Sequence, residues 1–269
     1  MRSKLMAFAW LRCAWLALLL LVPGLARAGL ALHQVIPLPA VRGAFGGMAA
    51  DVTHARLFVC VSGENRLLAI DLASGTVIGQ LAGLDRPHAL VYLPVVDRLA
   101  VSNAASGELD FYSADSLAPA GAVTFGTRAA GLGYDPQDQR VYSGYANGRT
   151  GGVAVVGPGG EPLNQFVLDD PPAGLVVDRK TQSLFVNLPR LAAVAVFDLA
   201  SGERRGIWTL VAGRGSPSAL ALALDAEAGR LFVATRNPDR ILVLDTANGR
   251  QLQTLAAPGD VGTLAYDPQ

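Results

Sequence analysis

Short apolar runs of six or seven residues recur along this chain in groups of four, separated by Asn, Asp, Gly and Pro. The clearest group lies at 219–255. "ALALALD" (219–225), "RLFVAT" (230–235) and "RILVLD" (240–245) are apolar at nearly every position, and "RQLQTL" (250–255) alternates Leu252 and Leu255 with Gln251, Gln253 and Thr254. Runs this short, rich in Val, Leu, Ile and Phe, predict antiparallel strands. The first three read as strands covered on both faces and the fourth as an outer edge strand.

The group repeats. Its anchors Arg56, Arg98, Arg140, Ser183 and Arg230 are 42, 42, 43 and 47 residues apart. A period of this length carried by short strands marks a β-propeller blade. The expected fold is therefore all-β, a β-propeller of four-stranded antiparallel blades, with five complete blades at 47–81, 87–123, 129–167, 173–210 and 217–255. "GTLAYD" (262–267) opens a sixth copy, and "ALHQVIPLP" (31–39) predicts one leading strand. These two pieces do not make a blade. The sequence alone thus predicts a C-terminally truncated, open or poorly closed ring with an exposed strand edge.

The recurring polar residues have local readings. Asp71, Asp198 and Asp245 each stand four residues before a glycine, where the carboxylate caps a turn and the glycine takes positive φ. Asp51, Asp135, Asp178 and Asp225 each stand five residues before an anchor. They read as caps of the first turn at each blade's periphery, not as a carboxylate ring for metal or acid–base chemistry. Cys60 corresponds to Ser102, Gly144, Asn187 and Ala234, small or short residues expected on an inner strand.

Residues 1–28 read as a cleavable signal peptide. Arg2, Lys4 and Arg12 supply the positive region, Ala14 to Val22 the apolar run, and Ala26-Arg27-Ala28 the cleavage pattern. The apolar run is too short to span a membrane, so no membrane insertion is expected after cleavage. A periplasmic or secreted domain over 29–269 follows. Without the leader the chain holds 18 Lys+Arg against 22 Asp+Glu, a balance that argues against nucleic acid as a partner. Cys60 is then alone, so no intrachain disulfide is expected.

"RLFVATRNPDRILVLDTANGRQLQTL" (230–255) and "RLFVCVSGENRLLAIDLASGTVIGQL" (56–81) resemble the YVTN β-propeller repeat family, including YncE-like exported propellers. The resemblance covers essentially the whole chain after the leader and implies a scaffold that is usually seven-bladed. Many such relatives carry an Asp-His pair before the Met-Ala of the first blade. Here Phe45-Gly46-Gly47 precedes Met48.

No zinc-type histidine spacing, nucleophile elbow or phosphate loop occurs among His33, His54, His88 and their surroundings, and no cofactor is expected. The remaining candidate is the face where the B–C and D–A loops surround the central channel. It holds Arg66, Arg86, Arg128, Arg149, Arg190, Arg214, Arg236 and Arg240, mixed with acidic residues such as Asp170 and Asp260. The site expected there is an anion-binding mouth centred on Arg149, Arg190 and Arg236, with His88 near the channel. Two functions fit: a non-catalytic binding propeller for a protein, glycan or small anion, and a lactonase-type hydrolase with a channel site drawn from several blades.

Overall fold

The computed structural model describes residues 32–213, 217–259 and 261–267, so the proposed leader 1–28 lies outside the described residues. By its contacts the chain divides into Met1–Ile36 and Pro37–Gln269. In the first unit, residues 32–36 carry neither helix nor strand. All the sheets belong to the second.

Among the described residues, five four-stranded sheets follow one another along the sequence. They are β1 (Met48–Asp51), β2 (Arg56–Val61), β3 (Arg66–Asp71) and β4 (Thr76–Ala82); β5 (Pro87–Leu93), β6 (Arg98–Asn103), β7 (Glu108–Ser113) and β8 (Pro119–Thr124); β9 (Arg128–Asp135), β10 (Arg140–Asn147), β11 (Thr150–Val156) and β12 (Pro162–Leu168); β13 (Leu175–Asp178), β14 (Ser183–Leu188), β15 (Ala193–Asp198) and β16 (Arg204–Thr209); and β17 (Ser218–Asp225), β18 (Arg230–Arg236), β19 (Arg240–Asp245) and β20 (Gln251–Ala256). Each sheet runs in simple sequence order with antiparallel neighbours. This is a β-propeller, with its blades where the repeats placed them.

The blade boundaries are set by local chemistry. The Asp51 carboxylate accepts the Thr53 and His54 N–H groups at 3.1 and 3.2 Å. Asp135, Asp178 and Asp225 cap the same turn through Gln137, Lys180 and Ala228. In the third turn of the first, fourth and fifth blades, the N–H groups of Gly75, Gly202 and Gly249 return to the carbonyls of Asp71, Asp198 and Asp245. All three glycines have φ near +70° (67, 73 and 72°), which a side chain would strain.

Two details differ from the expectation. The leading strand over 31–39 does not form: residues 32–39 have no ladder. Pro37 and Pro39 lack the N–H groups a ladder needs, and Arg42 Nη1 instead donates to the Pro39 carbonyl at 2.6 Å. Residues 262–267 also make no ladder. Tyr266 nevertheless stacks on Phe232 at 6.0 Å, as Tyr92 of β5 stacks on Phe58 of β2 at 6.2 Å. The segment therefore packs as a next inner strand would, though it forms no ladder. The turn-capping carboxylates are as expected, and Asp51, Asp135 and Asp178 are in addition buried, at most 1% exposed.

Their burial follows from how blades are joined. Large side chains from facing sheets fill the space between them: Phe58 and Leu67 meet Leu90 and Leu99, and Phe185 and Val196 meet Leu222 and Leu231. At the end of each seam a basic side chain crosses to a neighbouring blade. Arg56 Nε donates to Asp51 Oδ2 at 2.8 Å, Nη2 to Asp97 Oδ1 at 2.8 Å and Nη1 to the Ala114 carbonyl at 3.0 Å. Arg98 reaches the Pro158 carbonyl, Arg179 reaches Asp135, and Lys180 reaches the Glu227 carbonyl.

Burial would raise the Asp51 pKa, but the bonds from Arg56 and His54 win and hold it at about 2, below the ordinary 3.8. A carboxylate with a depressed folded pKa stabilises the fold above its unfolded pKa and loses that contribution as pH falls through the folded value. Removing Arg56 leaves Asp51 buried without its guanidinium. Arg56→Ala is expected to cost about 3 kcal/mol, roughly 8 °C in melting temperature, and to flatten the decline in stability between pH 4 and 2. Arg98→Ala, which loses one carbonyl contact, is expected to cost about 1 kcal/mol. Thermal and urea melts across this pH range measure both.

Candidate functional site

The first strand of every blade lines one central cavity of about 500 Å³, with Phe45–Met48, His88, Gly131, Gly174, Ala221 and Gly262 on its wall. Neighbouring inner strands touch backbone to backbone here. Gly47 donates to the His88 carbonyl at 2.7 Å, and Gly131 to the Ala173 carbonyl at 2.8 Å. A methyl added to Gly131 would lie 2.2 Å from that same Ala173 oxygen. At Gly47 and Gly131 the wall leaves no room for a side chain.

The channel mouth is built from loops pinned by asparagines. Arg86, at φ 55°, donates its N–H to Asn65 Oδ1 at 3.1 Å, and its carbonyl accepts the Ala104 N–H at 3.0 Å. Asn103 Oδ1 accepts the Asp85 N–H, and Asn147 Oδ1 accepts the Thr127 N–H just before Arg128. Arg86 and Arg128 thus project from fixed backbone. Both are exposed.

His88 follows Arg86 by two residues, on β5. Its side chain opens to the cavity, and its pKa is lowered from the ordinary 6.5 by the surrounding protein first, then by Arg128, then by Arg86. The cavity wall around the imidazole is mainly glycine, alanine and aliphatic side chains, and the two arginines act on the imidazole from the adjoining loops. Such a mouth can accept a carboxylate or phosphate through charge-assisted hydrogen bonds.

The residues expected from sequence fall as follows. His88 is on β5 and faces the channel. Arg149, in the β10–β11 hairpin, and Arg190, in a short 3-10 turn at Pro189–Leu191, are brought together, since Arg190 Nη1 donates to the Arg149 carbonyl at 3.1 Å. Arg190 also pairs with the buried Asp170, Nε to Oδ1 at 3.2 Å, and its backbone N–H donates to the same carboxylate at 3.1 Å. Arg190 and Arg128 share a second cavity of about 330 Å³, lined by Pro171, Pro172 and Pro189. Arg236 ends β18 opposite Ser218 and is exposed. Arg214 and Asp260 lie outside the described residues.

The sequence reading named Arg86 and Arg128 on the rim without joining them to His88. The structure supplies the shared placement through register. Each arginine immediately precedes a residue paired with the same position of the second strand, Pro87 with Asn103 and Ala129 with Tyr145. Among the described residues, no three His, Cys, Asp or Glu side chains gather as a metal-binding group.

No family model matches the chain, and no curated protein matches it. Among solved structures it is similar to Kuenenia stuttgartiensis hydrazine synthase, with a TM-score of 0.71 over 83% of this chain and 78% of that one. The sequences are 12% identical, so the likeness concerns the fold alone.

The field at His88 is directly measurable. An NMR titration of its imidazole should give a midpoint below 6.5, and Arg128→Ala should move that midpoint upward. A midpoint unmoved by the substitution would remove Arg128 from the site.

Proposed function

We propose that this chain is an exported, non-catalytic ligand-binding propeller of the YVTN repeat type that takes a small anionic ligand at the mouth of its channel. One observation carries the reading: Arg86 and Arg128 both act on a channel-facing histidine, and no acidic group contributes to that histidine's shift. A carboxylate or phosphate would offset mutual repulsion among these groups, and its bonds would form on loops already held by Asn65, Asn103 and Asn147. Preorganisation of this kind lowers the cost of binding. The cavity volume, about 500 Å³, suits a metabolite-sized ligand. Arg149 and Arg236 extend the positive rim. Arg190 is held largely by Asp170.

Export rests on the charged start, apolar run and Ala26-Arg27-Ala28 of the leader. Mass analysis of the protein recovered from the producing cell's envelope or medium should give a chain beginning at Gly29. A chain retaining Met1 would count against export.

Binding is tested by calorimetric titration with inorganic phosphate and with hexanoate at low ionic strength. Arg86→Ala and Arg128→Ala should each weaken binding about tenfold, the scale of one lost charge-assisted hydrogen bond. Added salt should weaken it further. Affinity unchanged in the double variant would end this reading.

A further inference from the structure

The connection into the fourth blade is built differently from those into the second and third. There, asparagine side chains hold the loop amides: Asn65 Oδ1 takes the Arg86 N–H, Asn103 Oδ1 the Asp85 N–H and Asn147 Oδ1 the Thr127 N–H. The fourth blade is entered through Pro171 and Pro172, which carry no N–H and need no such partner. A third proline, Pro189, opens the short turn after β14 and lines the same cavity of about 330 Å³. Loop backbone ordinarily presents amide groups to a cavity. Three pyrrolidine rings present C–H groups instead, and Ala130 and Ala146 extend this apolar lining.

This cavity adjoins the channel along two continuous stretches of chain. Residues 128–130 and 171–172 line it, while the residues that follow them, 131–132 and 173–176, line the channel.

Two arginines line the proline cavity, and they differ in what they have left to offer. Arg190 is already engaged, with Nε on the buried Asp170 carboxylate at 3.2 Å and Nη1 on the Arg149 carbonyl at 3.1 Å. The Arg128 guanidinium makes no hydrogen bond or ion pair among the described residues. Arg128 therefore supplies the unbalanced positive charge on this wall, a match for one carboxylate. The apolar lining beside it suits an uncharged body rather than a second anion.

The wall also favours one kind of body. Pyrrolidine C–H groups pack well on the electron-rich face of an aromatic ring, and an arginine already held in place stacks on such a ring. An apolar cavity of about 150 Å³ holds benzene, so about 330 Å³ admits one ring with its substituent.

We infer that the anionic ligand is an aryl monocarboxylate, with its carboxylate on Arg128 and its single ring in the cavity walled by Pro171, Pro172 and Pro189. This inference rests on the anion-binding reading above. It adds the proline cavity as the part of the site that selects an aromatic body.

The test compares acetate, phenylacetate and cyclohexylacetate by calorimetry on the full chain. Wild type should prefer phenylacetate to acetate by at least about tenfold, from burial of the ring. Cyclohexylacetate, similar in bulk but without an aromatic face, should bind about threefold more weakly than phenylacetate. Pro189→Ala should cut the preference for phenylacetate over acetate about threefold with acetate affinity unchanged, and Arg128→Ala should weaken both ligands alike. In wild type, phenylacetate but not acetate should shift the Ala130 and Ala146 methyl resonances through the ring current. Three results would overturn the aryl cavity and leave the anion reading standing: equal affinity for acetate and phenylacetate, cyclohexylacetate bound as well as phenylacetate, or alanine methyls that stay in place. A preference untouched by Pro189→Ala would do the same. Affinities for both ligands unchanged by Arg128→Ala would overturn the carboxylate's place in both proposals.

Discussion

Everything in the propeller unit depends on how closely one inner strand can approach the next. At the channel the approach is limited by backbone atoms themselves, as the Gly47 to His88 and Gly131 to Ala173 hydrogen bonds show. Further out the sheets diverge, and the gap must be filled by bulk. Phe58, Phe111, Phe185 and Tyr142 do this while remaining almost completely buried. Burying each such ring contributes about 2–3 kcal/mol, against about 1 kcal/mol for an inter-blade hydrogen bond. Apolar filling thus supplies most of the stability, and the small residues at the channel fix the angle at which it can act.

The polar staples at the far end of each seam set register. Where the repeat loses its arginine, the structure compensates locally. Ser183 stands in the fourth anchor position, and Arg205 of β16 turns back to it, donating to the Ser183 hydroxyl at 2.9 Å and the Thr181 carbonyl at 2.8 Å while pairing with Asp198. The replacement is incomplete: a cavity of about 380 Å³ remains beside Trp208 and Thr246. Anchor residues are therefore structural, and their variation perturbs packing before it touches any ligand.

This division explains what could be read from the chain. The fifth blade, expected at 217–255, spans 218–256, because its strand ends are written by nearby Asp caps and turn glycines. The segments at 32–39 and 262–267 have strand-like composition but no ladder, since a ladder needs a distant partner that composition cannot supply. His88 was legible as a channel residue from its place at the start of an inner strand. Its coupling to Arg86 and Arg128 was not, because it depends on loops whose course is fixed by Asn65, Asn103 and Asn147 from neighbouring hairpins.

One repeat position shows how the same place can serve packing or chemistry. Cys60 is pure filling: burial pushes its thiol up to about 12, and no thiolate is accessible at neutral pH. Ser102 in the next blade closes a seam with two hydrogen bonds. Gly144 yields its space to Pro172 and Ala130. Asn187 is longer than serine and meets a seam without the closing backbone bond, so its amide is carried into the interior with its valences unfilled. Sequence assigns all these residues to one class, small or short on an inner strand. The difference lies in whether the adjoining glycine is pressed against the next blade, and that is decided by the approach of two backbones rather than by the identity of either residue.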